Sequence, residues 1–176
     1  MQRCFVIIDG SNFYYKLKEL KFSNLLEFKF GVFAKHLCGA NKLVESMYYI
    51  GAVRENPKVP KTKKLLADQQ KLFAKLKREG FKYSLGYLLK TDRYHEKGVD
   101  VNMAVDILVG AYENLYDRVI LVSSDTDLLP AVTKAKQKGR TVEYVGFSHQ
   151  PSLALIKNCS ESRLLKKDAL EAFFPK

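Results

Sequence analysis

The feature that most constrains the fold is a pair of short apolar runs, each followed closely by an aspartate. Residues 4–8 (CFVII) are wholly apolar and lead directly into Asp9, and residues 119–122 (VILV) are followed after two serines by Asp125. Such runs are typical of strands buried on both faces of a parallel sheet. In these sheets, ligands bind beyond the carboxyl ends of the strands, where the strand order reverses. If the two strands are neighbours, as right-handed crossovers allow, both carboxylates point into one crevice.

The rest of the chain alternates between strand and helix patterns. Further strands are expected at residues 44–53, 81–89 and 142–145. Helices are expected from about residue 12 and at 24–36, 62–79, 99–115, 128–138 and 151–157, with a last amphipathic segment at 164–174. The helix at 99–115 has an apolar stripe formed by Val101, Ala104, Val105, Leu108 and Val109. This alternation predicts an α/β fold with a mainly parallel sheet of about five strands.

Neither a linker nor a repeat divides the 176 residues, so a single domain over 1–176 is expected. The apolar runs are far shorter than the roughly 18 residues that span a bilayer, and the first does not resemble a signal peptide. The three cysteines, Cys4, Cys38 and Cys159, have no metal-binding spacing, which argues against structural zinc. These features predict a soluble, cytoplasmic protein without a membrane partner.

The charge of the chain indicates the class of its partner. There are 30 Lys and Arg residues against 19 Asp and Glu, a formal net charge of +11, and the excess is clustered, for example at 61–64 and 134–140. Such a field attracts polyanions, nucleic acid first. The alternative is that these are solvated helix faces whose charge keeps the protein soluble. Basic patches carry no sequence code, so the charge alone does not identify the substrate.

Two further aspartates are expected to join the crevice. Asp127 lies two residues beyond Asp125 on a turn, and Asp100 lies in the first turn of a helix, where the helix dipole favours a carboxylate. Each aspartate alone could simply cap a helix. Clustered carboxylates, however, raise one another's pKa unless a cation is present. Because Mg²⁺ and Mn²⁺ prefer carboxylate ligands, Asp9, Asp100, Asp125 and Asp127 are predicted to bind one or two such ions.

Asp106 is not included in this predicted site. It follows Asp100 by six residues, which places it about 240° around the helix, so the two do not share a face. It could approach the site from the side or pair with a lysine.

Three segments resemble the acidic motifs of NYN domains, in the order and with the spacing of that family. They are IIDGSN at 7–12, KGVDV at 97–101 and LVSSDTDLLP at 121–130. The chain looks like the LabA-type branch of this family, which belongs to the PIN-like nuclease superfamily. The resemblance covers a motif-bearing part at about 3–147, followed by a helical segment at about 150–174.

The resemblance implies a Rossmann-like three-layer α/β/α sandwich with metal-dependent ribonuclease activity. Its acidic positions correspond to Asp9, Asp100, Asp125 and Asp127, with Asn12 and Ser124 as polar supports. Ser124 stands where the family often has glycine, so the backbone freedom of this loop can differ. On this hypothesis Asp9 and Asp125 are the principal ligands of ions that polarise the scissile phosphate and lower the pKa of a water molecule. Asp100 and Asp127 complete the shell directly or through water.

Candidate substrate contacts surround these motifs. Lys97 and Arg93 are candidates for binding phosphate, and Tyr14, Tyr15 or Tyr94 for stacking on unpaired bases. Each has a simpler alternative, a solvated basic residue or a tyrosine of the core or surface. RNA is the preferred partner over DNA, and a homo-oligomer is possible.

Three alternatives belong to other functional classes. A non-catalytic RNA- or protein-binding module could retain the same fold. A phosphatase of the haloacid dehalogenase type requires a second aspartate two residues after the first, where Ser11 stands. A flap-type DNA nuclease shares the metal chemistry, but the chain has no evident helical-arch insertion.

Overall fold

The structure is a computed structural model that describes residues 1–53, 59, 61–90 and 94–175, without the side chains of 88–90 and 94–96. The strands are β1 (Arg3–Asp9), β2 (Lys42–Gly51), β3 (Lys82–Lys90), β4 (Tyr94–Lys97), β5 (Arg118–Val122), β6 (Thr141–Phe147) and β7 (Glu161–Leu165). The helices are α1 (Gly10–Glu19), α2 (Phe30–Cys38), α3 (Lys61–Arg78), α4 (Val99–Tyr112), α5 (Leu129–Gln137), α6 (Leu153–Asn158) and α7 (Lys167–Glu171). None of the helices in these ranges has both the length and the apolar composition needed to cross a bilayer.

In the described part of the chain, seven strands form one sheet in the order β4-β3-β2-β1-β5-β6-β7. All neighbours are parallel except β3 and β4, which are antiparallel. The chain starts in the middle of the sheet, extends to β4 on one side, and returns through α4 to place β5 beside β1. The strand order therefore reverses between β1 and β5, which is where open α/β sheets bind ligands.

The sheet separates two apolar cores. In β1, Cys4, Val6 and Ile8 point into one core, while Phe5 and Ile7 point into the other. Side chains of α1, α2, α3 and α7 complete the first core, and those of α4, α5 and α6 complete the second. This three-layer arrangement explains why β1 is apolar at consecutive positions, and it confirms the expected α/β class.

The expectation of about five strands was too low, because both outermost strands were missed. The β4 strand is a short polar segment that pairs on one side only, with β3. In β7 only Leu165 is buried, so the apolar pattern of this strand is weak. The strand also divides the C-terminal segment that was expected to be helical. The helix expected from residue 24 also begins later, at Phe30, because Asn24 caps a short 3₁₀ turn instead. Edge strands need few buried side chains, so periodicity detects them poorly.

Helix α4 packs on the sheet mainly through a different face from the one that its apolar stripe suggests. The buried face carries Val99, Met103, Ile107 and Ala111. Of the predicted stripe, Ala104 and Leu108 pack against the second core, whereas the three valines point outward, with Val101 64%, Val105 48% and Val109 41% exposed. Because α4 is apolar on both faces, its sequence does not reveal which face packs on the sheet.

Candidate active site

A cleft of about 600 Å³ opens at the carboxyl edge of the sheet, between α1 and α4. All four predicted aspartates line it, together with Asn12 and Lys97 among others. Asp9 ends β1, Asp125 and Asp127 follow β5, and Asp100 lies in the first turn of α4. The cleft thus forms at the point where the strand order reverses, as the two strand-end aspartates predicted.

Asp9 is the most buried of these carboxylates, with 6% of its surface exposed. It caps α1, since its Oδ1 accepts the backbone N–H of Asn12 at 3.0 Å, and its Oδ2 accepts the hydroxyl of Ser123 at 2.8 Å. Burial raises the pKa of Asp9, the two hydrogen bonds lower it, and the nearby charge of Asp125 raises it again; the net shift is upward. Asp9 is therefore fixed in position but costly to ionise without a cation nearby.

Gly10 allows α1 to begin directly after Asp9. A Cβ atom at this position would lie 2.7 Å from the carbonyl oxygen of Tyr49 and closer still to the ring of Tyr48. No real side chain is found at such distances from backbone. The Asp-Gly pair therefore lets the start of α1 pack against β2 while Asp9 faces the cleft.

The loop after β5 is organised by a buried serine. The hydroxyl of Ser123 donates to Asp9 and also accepts the backbone N–H of Asp125 at 3.1 Å. Oδ1 of Asp125 in turn accepts the N–H of Asp127 at 2.8 Å. Ser123 was not among the predicted site residues. Its position could have indicated this role, because it directly follows β5 and lies level with Asp9 at the end of β1.

Asp100 enters the cleft from the opposite wall. Two residues before it, Gly98 caps the start of α4. The φ of Gly98 is 86°, a left-handed backbone conformation that favours glycine. Burial raises the pKa of Asp100, and so do the charges of Asp125, Asp9 and Asp127, in that order. The four carboxylates therefore act on one another electrostatically.

The carboxylates of the cleft differ from the other buried acid of the sheet in having no cationic partner. Glu143 is 3% exposed and forms ion pairs with Arg118 and Arg163, both at 2.8 Å. By contrast, no ion pair involves any of the four aspartates within the described ranges. Asp9 is the buried member of the set, whereas Asp100 and Asp125 are half-buried and Asp127 is exposed. Buried charges are normally paired or bound to metal, so an unpaired Asp9 with three further carboxylates around the same cleft fits a divalent cation.

The spacing of the carboxylates limits how a cation is held. Among the residues that the structure describes, no three His, Cys, Asp or Glu side chains are close enough to bind one ion together. Mg²⁺ is usually bound through one or two carboxylates, with water or substrate phosphate filling the other positions. The donor set fits that mode rather than a closed protein cage.

The remaining predicted contacts divide between the cleft and other places. Asn12 lines the cleft, and its Oδ1 accepts the N–H of Ser124 at 3.3 Å. The hydroxyl of Ser124 forms a hydrogen bond with that of Tyr144 at 3.3 Å, so this serine contacts Asn12 through its backbone and Tyr144 through its side chain. Asp106 lies outside the cleft and accepts a hydrogen bond from Tyr49 at 2.5 Å, in agreement with its exclusion.

One of the predicted substrate contacts, Tyr14, is placed differently. Tyr14 lines a separate groove with Phe22 and Phe174, whereas the next residue, Tyr15, lines the cleft. Arg93 lies outside the described residues. Lys97 is exposed and lines the cleft as expected.

The sequence matches the model of the NYN domain family over residues 3–165. The chain belongs to the NYN domain family. The match extends the motif-bearing part beyond the expected residue 147 to include β7, while membership of the LabA-type branch stays a prediction.

Similar proteins have been found for this NYN domain. A protein of unknown function from Vibrio parahaemolyticus has a similar structure, with a TM-score of 0.73 and 25% identity over 93% of each chain. The flap endonuclease of bacteriophage T5, solved with DNA and metal ions, gives a TM-score of 0.46 and 16% identity over 84% of this chain and 56% of that chain. An uncharacterized protein of Methanocaldococcus jannaschii is 40% identical over 57 residues, which are 32% of this chain and only 24% of that protein. The aligned part thus spans about a quarter of this curated relative.

Proposed function

We propose that this NYN domain is a metal-dependent ribonuclease that hydrolyses phosphodiester bonds in the four-aspartate cleft. The supporting observation is a set of carboxylates that converge where the strand order reverses and form no ion pair with a described residue. Membership of the NYN family agrees with this activity, which the resemblance of the three motifs implies. The strongly basic surface is suited to holding a polyanionic substrate.

In this proposal Asp9 and Asp125 would hold one or two Mg²⁺ or Mn²⁺ ions directly, and Asp100 and Asp127 would do so through water, since no three of the described side chains are close enough to bind one ion together. Such an ion lowers the pKa of a water molecule and offsets the negative charge of a scissile phosphate. The hydrogen bonds from Asn12 and Ser123 keep the oxygens of Asp9 in place, so the ligand need not reorganise during the reaction. One of the four carboxylates accepts the proton of the attacking water.

The lysine at the cleft has a separate role. Lys97 is exposed and lies next to Gly98, at the start of the wall formed by α4. Its ammonium group contacts a phosphate of the bound strand and offsets the repulsion between RNA and the carboxylates.

A cleavage assay tests the proposal. The protein is incubated with end-labelled single-stranded RNA or DNA of matched sequence, in Mg²⁺, Mn²⁺ or EDTA. We expect RNA cleavage with either metal, no cleavage in EDTA, and a loss of at least about a hundredfold in Asp125→Asn, since the metal supplies several kcal/mol of the rate enhancement. Asp106→Asn is the matched control, because this carboxylate lies outside the cleft and an amide can still accept the hydrogen bond from Tyr49.

Two outcomes would contradict the proposal. Cleavage that persists in EDTA or in Asp125→Asn would show that another site or a contaminant is responsible. Tight RNA binding without any cleavage would favour the non-catalytic binding module.

A further inference from the structure

The wall of the cleft on α1 ends in an exposed aromatic ring. Asn12 and Tyr15 are three residues apart on α1 and therefore share a face of the helix, which is the face turned to the cleft. Tyr15 is 61% exposed. Its ring meets that of Tyr14 edge-on at 5.5 Å, and its hydroxyl has no hydrogen-bond partner among the described residues. Tyr15 thus stands about one helical turn beyond Asn12, unconstrained by the core.

The facing wall, on α4, also carries exposed apolar side chains. Val101 and Ala104 are three residues apart and line the cleft, and Val101 is among the most exposed apolar side chains of the described residues. The cleft therefore combines its carboxylates with an exposed apolar side chain on each wall, beside the polar Asn12 on α1 and Asp100 on α4. Hydrated ions alone gain nothing from such walls, whereas a ligand with a flat apolar ring beside a phosphate suits both parts of the cleft.

We infer that Tyr15 and Val101 form a slot for one unpaired nucleobase next to the scissile phosphate, so that the substrate is single-stranded RNA. This inference rests on the proposed nuclease function. A cleft of about 600 Å³ has the size of a small-molecule site and is large enough for one nucleotide. In a duplex the faces of a base are covered by its neighbours, so a tyrosine has access only to an unstacked base. Because every base has a π-face, such a slot accepts all four bases.

The slot is tested by binding, measured without cleavage. Fluorescence anisotropy in EDTA compares a labelled, unstructured oligouridylate with a blunt RNA duplex of equal length. We expect Tyr15→Leu to weaken single-strand binding about tenfold, which is the loss of one base–aromatic stack, and Tyr15→Phe to bind like the wild type. Tyr14→Leu is the matched control, because this neighbouring tyrosine lines a different groove.

The result that would overturn the slot is an equal loss of affinity in Tyr14→Leu and Tyr15→Leu, or an equal loss for the duplex. Circular dichroism of both variants shows whether they fold, which the exposure of the two rings leads us to expect.

The same set of measurements separates the slot from the nuclease function. If RNA is never cleaved with metal but single-strand binding still depends on Tyr15, the nuclease proposal is wrong and the slot stands. If Asp125-dependent cleavage is found but Tyr15→Leu changes neither affinity nor KM, the slot is wrong and the nuclease proposal stands.

Discussion

The hydroxyl of Ser123 donates a hydrogen bond to Oδ2 of Asp9 over 2.8 Å and so joins the carboxyl ends of β1 and β5. Both residues are buried, and the same hydroxyl accepts the backbone N–H of Asp125. One serine therefore helps to position two aspartates that are 116 residues apart in the sequence.

Replacing this serine should alter the pH dependence of the reaction. The hydrogen bond from Ser123 lowers the pKa of Asp9, so Ser123→Ala raises that pKa further and shifts the acid limb of the pH–rate profile to higher pH. The loss of a buried hydrogen bond also lowers the free energy of unfolding by about 1–3 kcal/mol. Both effects are measured by a pH–rate profile and by urea denaturation. Ser124→Ala is the control, since its hydroxyl lies beside Tyr144, and an identical shift in both variants would argue against this role.

Divalent cations should stabilise the protein through Asp9. A ligand that binds only the folded state raises Tm, and the stabilisation grows with the logarithm of the ligand concentration divided by its Kd. We expect Mg²⁺ or Mn²⁺ to raise the Tm of the wild type and to have little effect on Asp9→Asn. Differential scanning fluorimetry with metal or EDTA measures this, with Asp117→Asn as a control far from the cleft. Equal shifts in wild type and Asp9→Asn would contradict a metal site at Asp9.

Without metal, Asp9→Asn should be at least as stable as the wild type at pH 7. The folded-state pKa of Asp9 is raised, so its stabilising contribution is present below the unfolded pKa and is lost as pH rises through the folded pKa. At neutral pH the ionised carboxylate therefore costs stability, whereas an amide avoids that cost and still caps α1. If Asp9→Asn instead has a clearly lower Tm than the wild type in EDTA, the hydrogen bonds of the carboxylate contribute more stability than its burial costs.

The orientation of α4 can be checked by two substitutions. Ile107 is fully buried, so Ile107→Ala should lower the free energy of unfolding by about 2–5 kcal/mol. Val105 is half-exposed, and Val105→Ala should change it by no more than about 0.5 kcal/mol. Guanidinium denaturation measures both, and the reverse ranking would mean that the helix presents its other face to the sheet.

A fifth prediction concerns acid stability, away from the cleft. Asp117 accepts the backbone N–H of Arg3 at 2.7 Å and its guanidinium at 2.8 Å, and these contacts lower the pKa of Asp117 to about 2. A depressed pKa contributes stability that is present above the unfolded value, 3.8 for this group, and is lost as pH falls through about 2. Asp117→Asn should therefore make the decline of stability between these pH values shallower. Asp117 is partly exposed, and solvent screening therefore keeps the effect small. Urea denaturation at several pH values measures the free energy of unfolding of both proteins. An unchanged slope would mean that Arg3 does not stabilise the charged form.

The centre of the fold could be predicted from the sequence, but its edges could not. The strands β1 and β5 are buried on both faces, so their apolar runs are unbroken and the adjacent aspartates mark the ends. The outer strands β4 and β7 each pair with a neighbour on one side only. Edge strands bury few side chains, so the alternation of apolar and polar residues that reveals a strand is weak in them.

The details of the cleft depended on contacts that a sequence does not contain. Ser123 and Asp9 are neighbours only because β1 and β5 pair. Consecutive residues of a helix point about 100° apart, so the choice between Tyr14 and Tyr15 required the starting point of α1. The roles of the four aspartates in metal binding and catalysis remain predictions, although the structure brings them to one cleft.

Gly10 provides a way to distinguish ancestry from activity among relatives of this protein. Its lack of a side chain is required by the rings and carbonyl of Tyr48 and Tyr49, not by any chemistry in the cleft. A relative that has lost catalysis can therefore lose its aspartates and still require glycine after β1. Glycine at this position therefore reports on the architecture, whereas the proposed nuclease activity depends on the carboxylate set.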